Sequence, residues 1–302
     1  MRGTVTSRLL ILMIALLVPL SAFGEEPVKL KYTLSLFTDE TGTGLNQPEG
    51  IACSEDRIVV ADSGNGRLVL YSLQGGEARG GTAVKLTQVL YPVRLAMTSK
   101  GDFFVLDERQ RKVARISRDG VFRAYVEPSG LPAQTMIIPA GLGVDANDNL
   151  YLLDILGGRV LVLNADGQFQ RQVDFPKDYG FITDLTTDPK GTVFAVDGVK
   201  SMVYSNAKDP AVLAPITGTL KDNLKFPSNI ATDRKGMLYI SDQTGGGIVV
   251  IGQDGTFRNR ILSLGWKEGA VRYPSQSCID KDGDLFVTDR ANNRVQEFTP
   301  LK

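Results

Sequence analysis

No imidazole is available to this chain for acid–base or metal chemistry, because its 302 residues include no histidine, and only two are cysteine. A Ser-His-Asp or Cys-His nucleophile pair, an imidazole general base and a His-containing zinc site are thereby excluded, and two cysteines cannot complete an all-cysteine zinc site. Two acidic stretches, DKDGD at 280–284 and DANDN at 145–149, begin like calcium loops. The sixth position, where such loops need glycine, is Leu285 or Leu150, and the twelfth, where they need glutamate, is Ala291 or Leu156. Both stretches therefore read as hairpin turns. The polar side chains left with a claim to a site are Glu49, Arg94, Asp184, Asn229 and Gln276, and they become a group only through the elements that carry them.

Those elements repeat. The runs IVVAD, FFVLD, LYLLD, VFAVD, LYISD and LFVTD end at Asp62, Asp107, Asp154, Asp197, Asp242 and Asp289, at spacings of 45, 47, 43, 45 and 47. Each unit opens with a strand-like run, in all but the fourth near a proline, at Pro48, Pro92, Pro139, Pro227 and Pro274. A Gly/Asn/Asp turn leads into the run ending in Asp, and a loop and a third run follow. Several units add a second turn, such as Asp119-Gly120 or Asp166-Gly167, and a fourth, alternating run. Four short antiparallel strands per unit, six units and no helical periodicity predict an all-β, six-bladed β-propeller. The units fall at about 46–90, 91–137, 138–180, 181–224, 225–272 and 273–302. The last stops after its third run, and residues 30 to 37 (LKYTLSLF) offer the missing fourth strand, so residues 28 to 38 are expected to close the sixth blade and leave no long edge exposed.

Arg2 and Arg8 precede an apolar run at 9–20, and small residues follow at Ala22 and Gly24. This predicts a signal peptide over 1–24, a single propeller domain over 25–302, and a periplasmic or secreted protein with no membrane span after cleavage. No cysteine follows the small residues, so a lipoprotein anchor is not expected. With 34 basic and 34 acidic side chains overall, there is no cationic footprint for nucleic acid. A monomer is expected.

The stretch from Pro48 to Tyr71, P-E-G-I-A-C-S followed by I-V-V-A-D-S-G-N-G-R-L-V-L-Y, resembles the NHL repeat, and residues 139–163 and 274–298 are close to it. A basic residue stands five positions after the motif Asp at Arg67, Lys112, Arg159 and Arg294; Met202 and Gly247 depart from this. The resemblance implies a propeller over about residues 28–302 and leaves activity open, since NHL propellers include protein-binding, nucleic-acid-binding and sensor modules. The six Asp residues and their basic partners have a structural reading: a carboxylate at a strand end accepts N–H groups of the next loop and pairs with the Arg five positions on.

Loops between second and third strands share one face with the links between blades, and these are longer than the hairpins of the other face, so the binding face is expected there. Aligning the units at Gly50 places Arg94, Asp184, Asn229 and Gln276 at one channel mouth, with Glu49 one position earlier in its own unit. Trp266 and the segment 127–138 lie on the same face. The leading expectation is a non-enzymatic binding or scaffold module without a cofactor, taking a protein, peptide or glycan. The alternative is a lactonase or related hydrolase. Glu49-Gly50 resembles the Glu-Gly of the gluconolactonase and regucalcin-like group, which implies calcium or manganese held by Glu49, Asp184 and Asn229. A glycosidase pair from Glu49 and Asp184 is a poorer third reading, because blades one and four lie opposite each other, beyond the ~5–9.5 Å such pairs need. Histidine-dependent six-bladed relatives, the amidating lyase and the paraoxonases, cannot lend their chemistry. Cys53 and Cys278 sit on inner strands of neighbouring blades at adjacent, not equivalent, positions, so their side chains are expected to point to different faces and a disulfide to be disfavoured.

Overall fold

The computed structural model describes residues 27–74, 77–133 and 135–301. The signal-peptide expectation falls on residues outside this set. Among the described residues, no helix is long and apolar enough to cross a membrane.

Six four-stranded antiparallel sheets follow one another along the chain, one per predicted unit. In blade 3 the strands are Pro139–Val144, Leu150–Asp154, Arg159–Leu163 and Phe169–Asp174. The second strand shows why the motif runs are continuously apolar. Successive side chains of a strand face opposite sides of the sheet, and here both sides are covered. Tyr151 and Leu153 enter the cluster shared with blade 4, while Leu150 and Leu152 enter the cluster shared with blade 2. The outer strand has one wet side, and its sequence FQRQVD alternates accordingly. Each fully buried Leu, Ile or Val contributes about 1.5–3 kcal/mol by leaving water, and such residues fill every seam between blades.

The innermost strands share a further device. In blades 2 to 6 the register slips by one residue at the strand's start: between Pro92 and Arg94, Pro139 and Gly141, Ile182 and Asp184, Pro227 and Asn229, and Pro274 and Ser277. Four of these strands open on a proline, which the first position of a strand tolerates because no ladder N–H is needed there. A bulge re-aims the side chain next to it, so the residues that follow the slip are turned into the axis of the ring.

The ring closes as the sequence predicts. Leu30–Leu36 pairs antiparallel with Arg294–Pro300, from Leu30 opposite Pro300 to Leu36 opposite Val295, completing the sixth sheet. Its inward residues Leu30 and Tyr32 pack on the seam with blade 5, and Leu36 on the seam with blade 1. Asn259 of blade 5 also exchanges two hydrogen bonds with the backbone of Val28.

The same blade 6 to blade 1 seam corrects the cysteine expectation: Cys53 and Cys278 form a disulfide, with Cα atoms 6.0 Å apart. Adjacent positions do point to opposite faces of their own sheets, as expected. In a closed ring, however, the two faces that meet at a seam are opposite ones. Cys53 leaves its sheet toward blade 6 and Cys278 leaves its sheet toward blade 1, both beside Ile58 and Phe286.

Candidate functional site

The six motif Asp carboxylates are buried and act as clamps on one face of the ring. Asp107 accepts the N–H groups of Leu90 and Tyr91 from the link entering its blade, and that of Gln110 from the loop leaving its second strand. Arg67, Arg159 and Arg294 reach their Asp through Nε at 2.6, 3.1 and 2.7 Å. The other blades solve the charge differently. In blade 5, where Gly247 replaces the basic residue, Arg260 of the outer strand comes within 3.0 Å of Asp242. In blade 4 Asp197 is held by four backbone N–H groups, those of Gly180, Phe181, Val199 and Lys200. Lys112 of blade 2 lies over the Tyr125 ring, 4.5 Å from its centre. Arg67 also pairs with Asp39 at 2.6 Å, a contact no motif announced.

With the links fixed, the alignment at Gly50 can be read in space. Gly50, Arg94, Gly141, Asp184, Asn229 and Gln276 each stand opposite the residue before their blade's motif Asp, or opposite Thr288 in blade 6 through a 2.9 Å bond from the Gln276 N–H. They do meet on the axis, but not as a wet rim. Asp184 is 1% exposed, Asn229 2% and Gln276 6%. They form a polar layer across the channel. Asn229 Nδ2 donates to Asp184 Oδ2 at 2.6 Å, and Asn229 Oδ1 accepts from the N–H and Oγ of Ser277 at 3.0 and 2.9 Å. Gln276 reaches over Gly50 to accept the N–H groups of Ile51 and Leu95, both at 3.0 Å, and donates to the Leu95 carbonyl. Arg94 crosses from blade 2 to the Ser228 carbonyl and Ser275 Oγ, with its Nε 3.8 Å from Asp184. Burial drives the Asp184 carboxyl up to about 6, against the opposing pull of Arg94, Asn229 and the amides of Leu185 and Ile230. This correction to the rim expectation has a simple cause: long side chains opposite glycine gaps reach across a narrow ring and exclude water.

Glu49 stands apart from this layer. It faces the depression above, accepting a hydrogen bond from the Tyr91 hydroxyl at 3.1 Å and an ion pair from Arg290 at 3.2 Å. The depression has a volume of about 530 Å³, with Arg94 at its base and Arg111, Phe181, Phe226 and Gln243 in its wall. The three residues weighed as oxygen ligands are thus engaged separately: Glu49 by a guanidinium and a phenol, Asp184 by an amide and a guanidinium, Asn229 by Ser277. Among the described residues no three His, Cys, Asp or Glu side chains are placed to hold a metal ion. Arg94 and Asn229 beside Asp184 are groups that pair with a carboxylate, while Asp184 Oδ1 is buried without a hydrogen-bond partner among the described residues.

The link face carries a second feature that alignment could not show. Of the large apolar side chains exposed among the described residues, all but Val121, Phe257 and Leu301 belong to this face. They include Phe37, Leu90, Leu156, Phe181, Val199 and Trp266, the last 74% exposed. Trp266 stands in the link between the short parallel pair Ser263–Leu264 and Ala270–Val271, clear of its own blade.

The sequence pattern of the NHL repeat matches residues 45–71 and 272–298. No curated protein matches the chain. Among solved structures, a catalytically inactive virginiamycin B lyase from Staphylococcus aureus, with a histidine changed to alanine and quinupristin present, is similar at 15% identity. That similarity covers 90% of this chain and 89% of the lyase, with a TM-score of 0.58. A putative gluconolactonase is similar at 13% identity over 90% of this chain and 92% of its own, TM-score 0.64. A nidogen/laminin complex contributes a chain 17% identical, covering 77% of this chain and 85% of that one, TM-score 0.60. At these identities the likeness establishes the six-bladed fold.

Proposed function

We propose that this NHL-repeat propeller is an exported, non-enzymatic binding or scaffold module, periplasmic or secreted, that engages a protein, peptide or glycan through its link face. The observation that carries this reading is the gathering of exposed apolar side chains, Trp266 foremost, on the one face whose loops the buried Asp clamps hold rigid. Apolar exposure concentrated on one face is the pattern an interaction surface presents. The Cys53–Cys278 disulfide supports an oxidising compartment. The nidogen/laminin complex is a precedent for protein binding on this fold, and it comes to this chain as no more than a precedent.

The lyase route has less support. The similar virginiamycin B lyase is catalytically inactive when a histidine is replaced, and this chain has none to offer. A calcium- or manganese-dependent hydrolase would need Glu49 released from Arg290, and Asp184 from Arg94 and Asn229.

Site-specific photo-cross-linking in the producing cell tests the binding reading. A photoreactive residue at Trp266 or Phe181 is expected to trap a discrete partner, and one at Val121 or Phe257 on the opposite face to trap none. Equal labelling from both faces, or none from either, would count against it. A melting temperature raised by calcium or manganese, and no longer raised in Glu49→Gln, would favour the hydrolase.

A further inference from the structure

The broad link face contains one built groove. Between blades 1 and 2, a cleft of about 660 Å³ runs along the link that joins them. One wall is the turn of Ser63, Gly64, Asn65 and Gly66, and the other is the link itself with Arg109. Val89 sits buried in the floor, and Leu90 is 47% exposed above it.

The charges lining this cleft have one sign. Lys85 and Arg109 are both exposed, and no carboxylate lines the cleft. Of the acidic groups near it, Asp62 is taken up by Arg67 and Asp107 by the N–H groups of Leu90, Tyr91 and Gln110, while Glu108, exposed beside Arg109, lines the central depression and not the cleft. Arg109 stacks over the Tyr91 ring, 5.3 Å from its centre, which holds the guanidinium at the cleft. The Tyr91 hydroxyl is bound to Glu49, so the inner end of the cleft meets the rim of the central depression. A cleft with an apolar floor, two cations on its edges and no anion is complementary to a segment with the reverse pattern.

We infer that the groove between blades 1 and 2 is a docking site for an acidic peptide segment of a partner protein, with an apolar side chain seated on Val89 and Leu90 and flanking carboxylates facing Lys85 and Arg109. The inference rests on the link-face reading and narrows it to one seam and one peptide chemistry.

Fluorescence anisotropy with the full chain tests it, the probe being a labelled peptide of alternating Glu and Leu. The peptide is expected to bind at low salt and to weaken as salt rises. The double variant Lys85→Glu/Arg109→Glu should bind roughly tenfold or more weakly, with its melting temperature unchanged because both side chains are exposed. Lys208→Glu, on the opposite face, should bind like wild type. No binding at low salt would overturn the inference, as would binding indifferent to the double charge reversal. So would binding of a heparin oligosaccharide in place of the peptide, or self-association of the chain that competes with the peptide. None of these outcomes touches cross-linking from Trp266, so the groove can fail while the link-face reading stands.

Discussion

The Asp184 carboxylate occupies the space that a side chain on Gly141 would need: a Cβ built on Gly141 would lie 2.6 Å from Asp184 Oδ1. Glycine in blade 3 is therefore part of the polar layer, as the gap that lets a blade 4 side chain reach the axis. Gly50 is tight for a different reason: a Cβ there would press on Ala61 of its own blade and on the Val93 backbone of blade 2, at 3.0 and 3.2 Å. Gly141→Ala is expected to cost about 1–3 kcal/mol of stability by overpacking. Gly218→Ala, which meets nothing within 4 Å, should be near neutral. Urea unfolding of the two variants compares them directly, and equal midpoints would contradict the assignment.

Asp184 also sets a pH dependence. Its folded-state value of about 6 lies above the ordinary 3.8, chiefly through burial. Between those values the folded protein holds a proton that the unfolded chain has released. The contribution is therefore fully present below about pH 4, declines as pH rises through 6, and is level beyond. The fall amounts to roughly 3 kcal/mol at most. Unfolding midpoints measured across this range should show the decline in wild type, lose this component in Asp184→Asn, and extend it to higher pH in Arg94→Gln, where the cation that favours the carboxylate is gone. A profile unaltered by Asp184→Asn would place the titrating group elsewhere.

The sequence order of the repeat made the register of the blades legible, because each motif Asp closes the same loop onto the same link. The depth of the site was not legible. Alignment brings Arg94, Asp184, Asn229 and Gln276 to one level. Whether that level is wet depends on the strand-entry bulges and on how far each side chain reaches across the ring. Arg260 escaped for a related reason: it replaces the cation missing at Gly247 from a different strand, and only the folded sheet places it beside Asp242. For Cys53 and Cys278 alternation within a sheet was the wrong frame, because neighbours in a ring present opposite faces to each other.

Glu297 is a buried carboxylate of a different kind. It lies on Arg294–Pro300 opposite Leu34 of the closing strand, 1% exposed, and its Oε2 has no hydrogen-bond partner. Burial, together with Asp284 and Asp280, pushes its carboxyl up to about 7 from 4.5. By the same sign its contribution is full below pH 4.5 and lost as pH rises through 7. Glu297→Gln removes the charge and keeps the shape, so at pH 8 it should raise stability, by on the order of 2 kcal/mol, and at pH 4 change little. Thermal melts at the two pH values check this, and a uniform loss at both would show that the carboxylate is paired after all.

The disulfide should be measurable as a staple on the closing seam. Cys53 and Cys278 are separated by 225 residues, so the bond removes much of the unfolded chain's freedom. Cys53→Ser/Cys278→Ser, or wild type under reductant, is expected to lose about 2–4 kcal/mol and keep its fold, because the closing strand holds the same blade independently. Circular dichroism and melting with and without reductant separate loss of stability from loss of structure.

Removal of the closing strand tests the other half of that seam. Without residues 28 to 38, Arg294–Pro300 becomes an open edge with unpaired N–H and C=O groups, a template for association with other chains. The seams with blades 5 and 1 would also lose the apolar cover of Leu30, Tyr32 and Leu36, and Asp39 would lose its supporting segment beside Arg67. Burial of three such side chains is worth several kcal/mol, a large share of the 5–15 kcal/mol that stabilises an ordinary domain. The deletion is therefore expected to melt far below wild type or to aggregate, with the loss deepened by reducing the disulfide, since blades 6 and 1 would then be joined by inner-strand packing and by contacts such as Arg290–Glu49 and Gln276–Ile51. A deletion variant that stayed monomeric and melted like wild type would mean that the ring is held by its apolar seams alone.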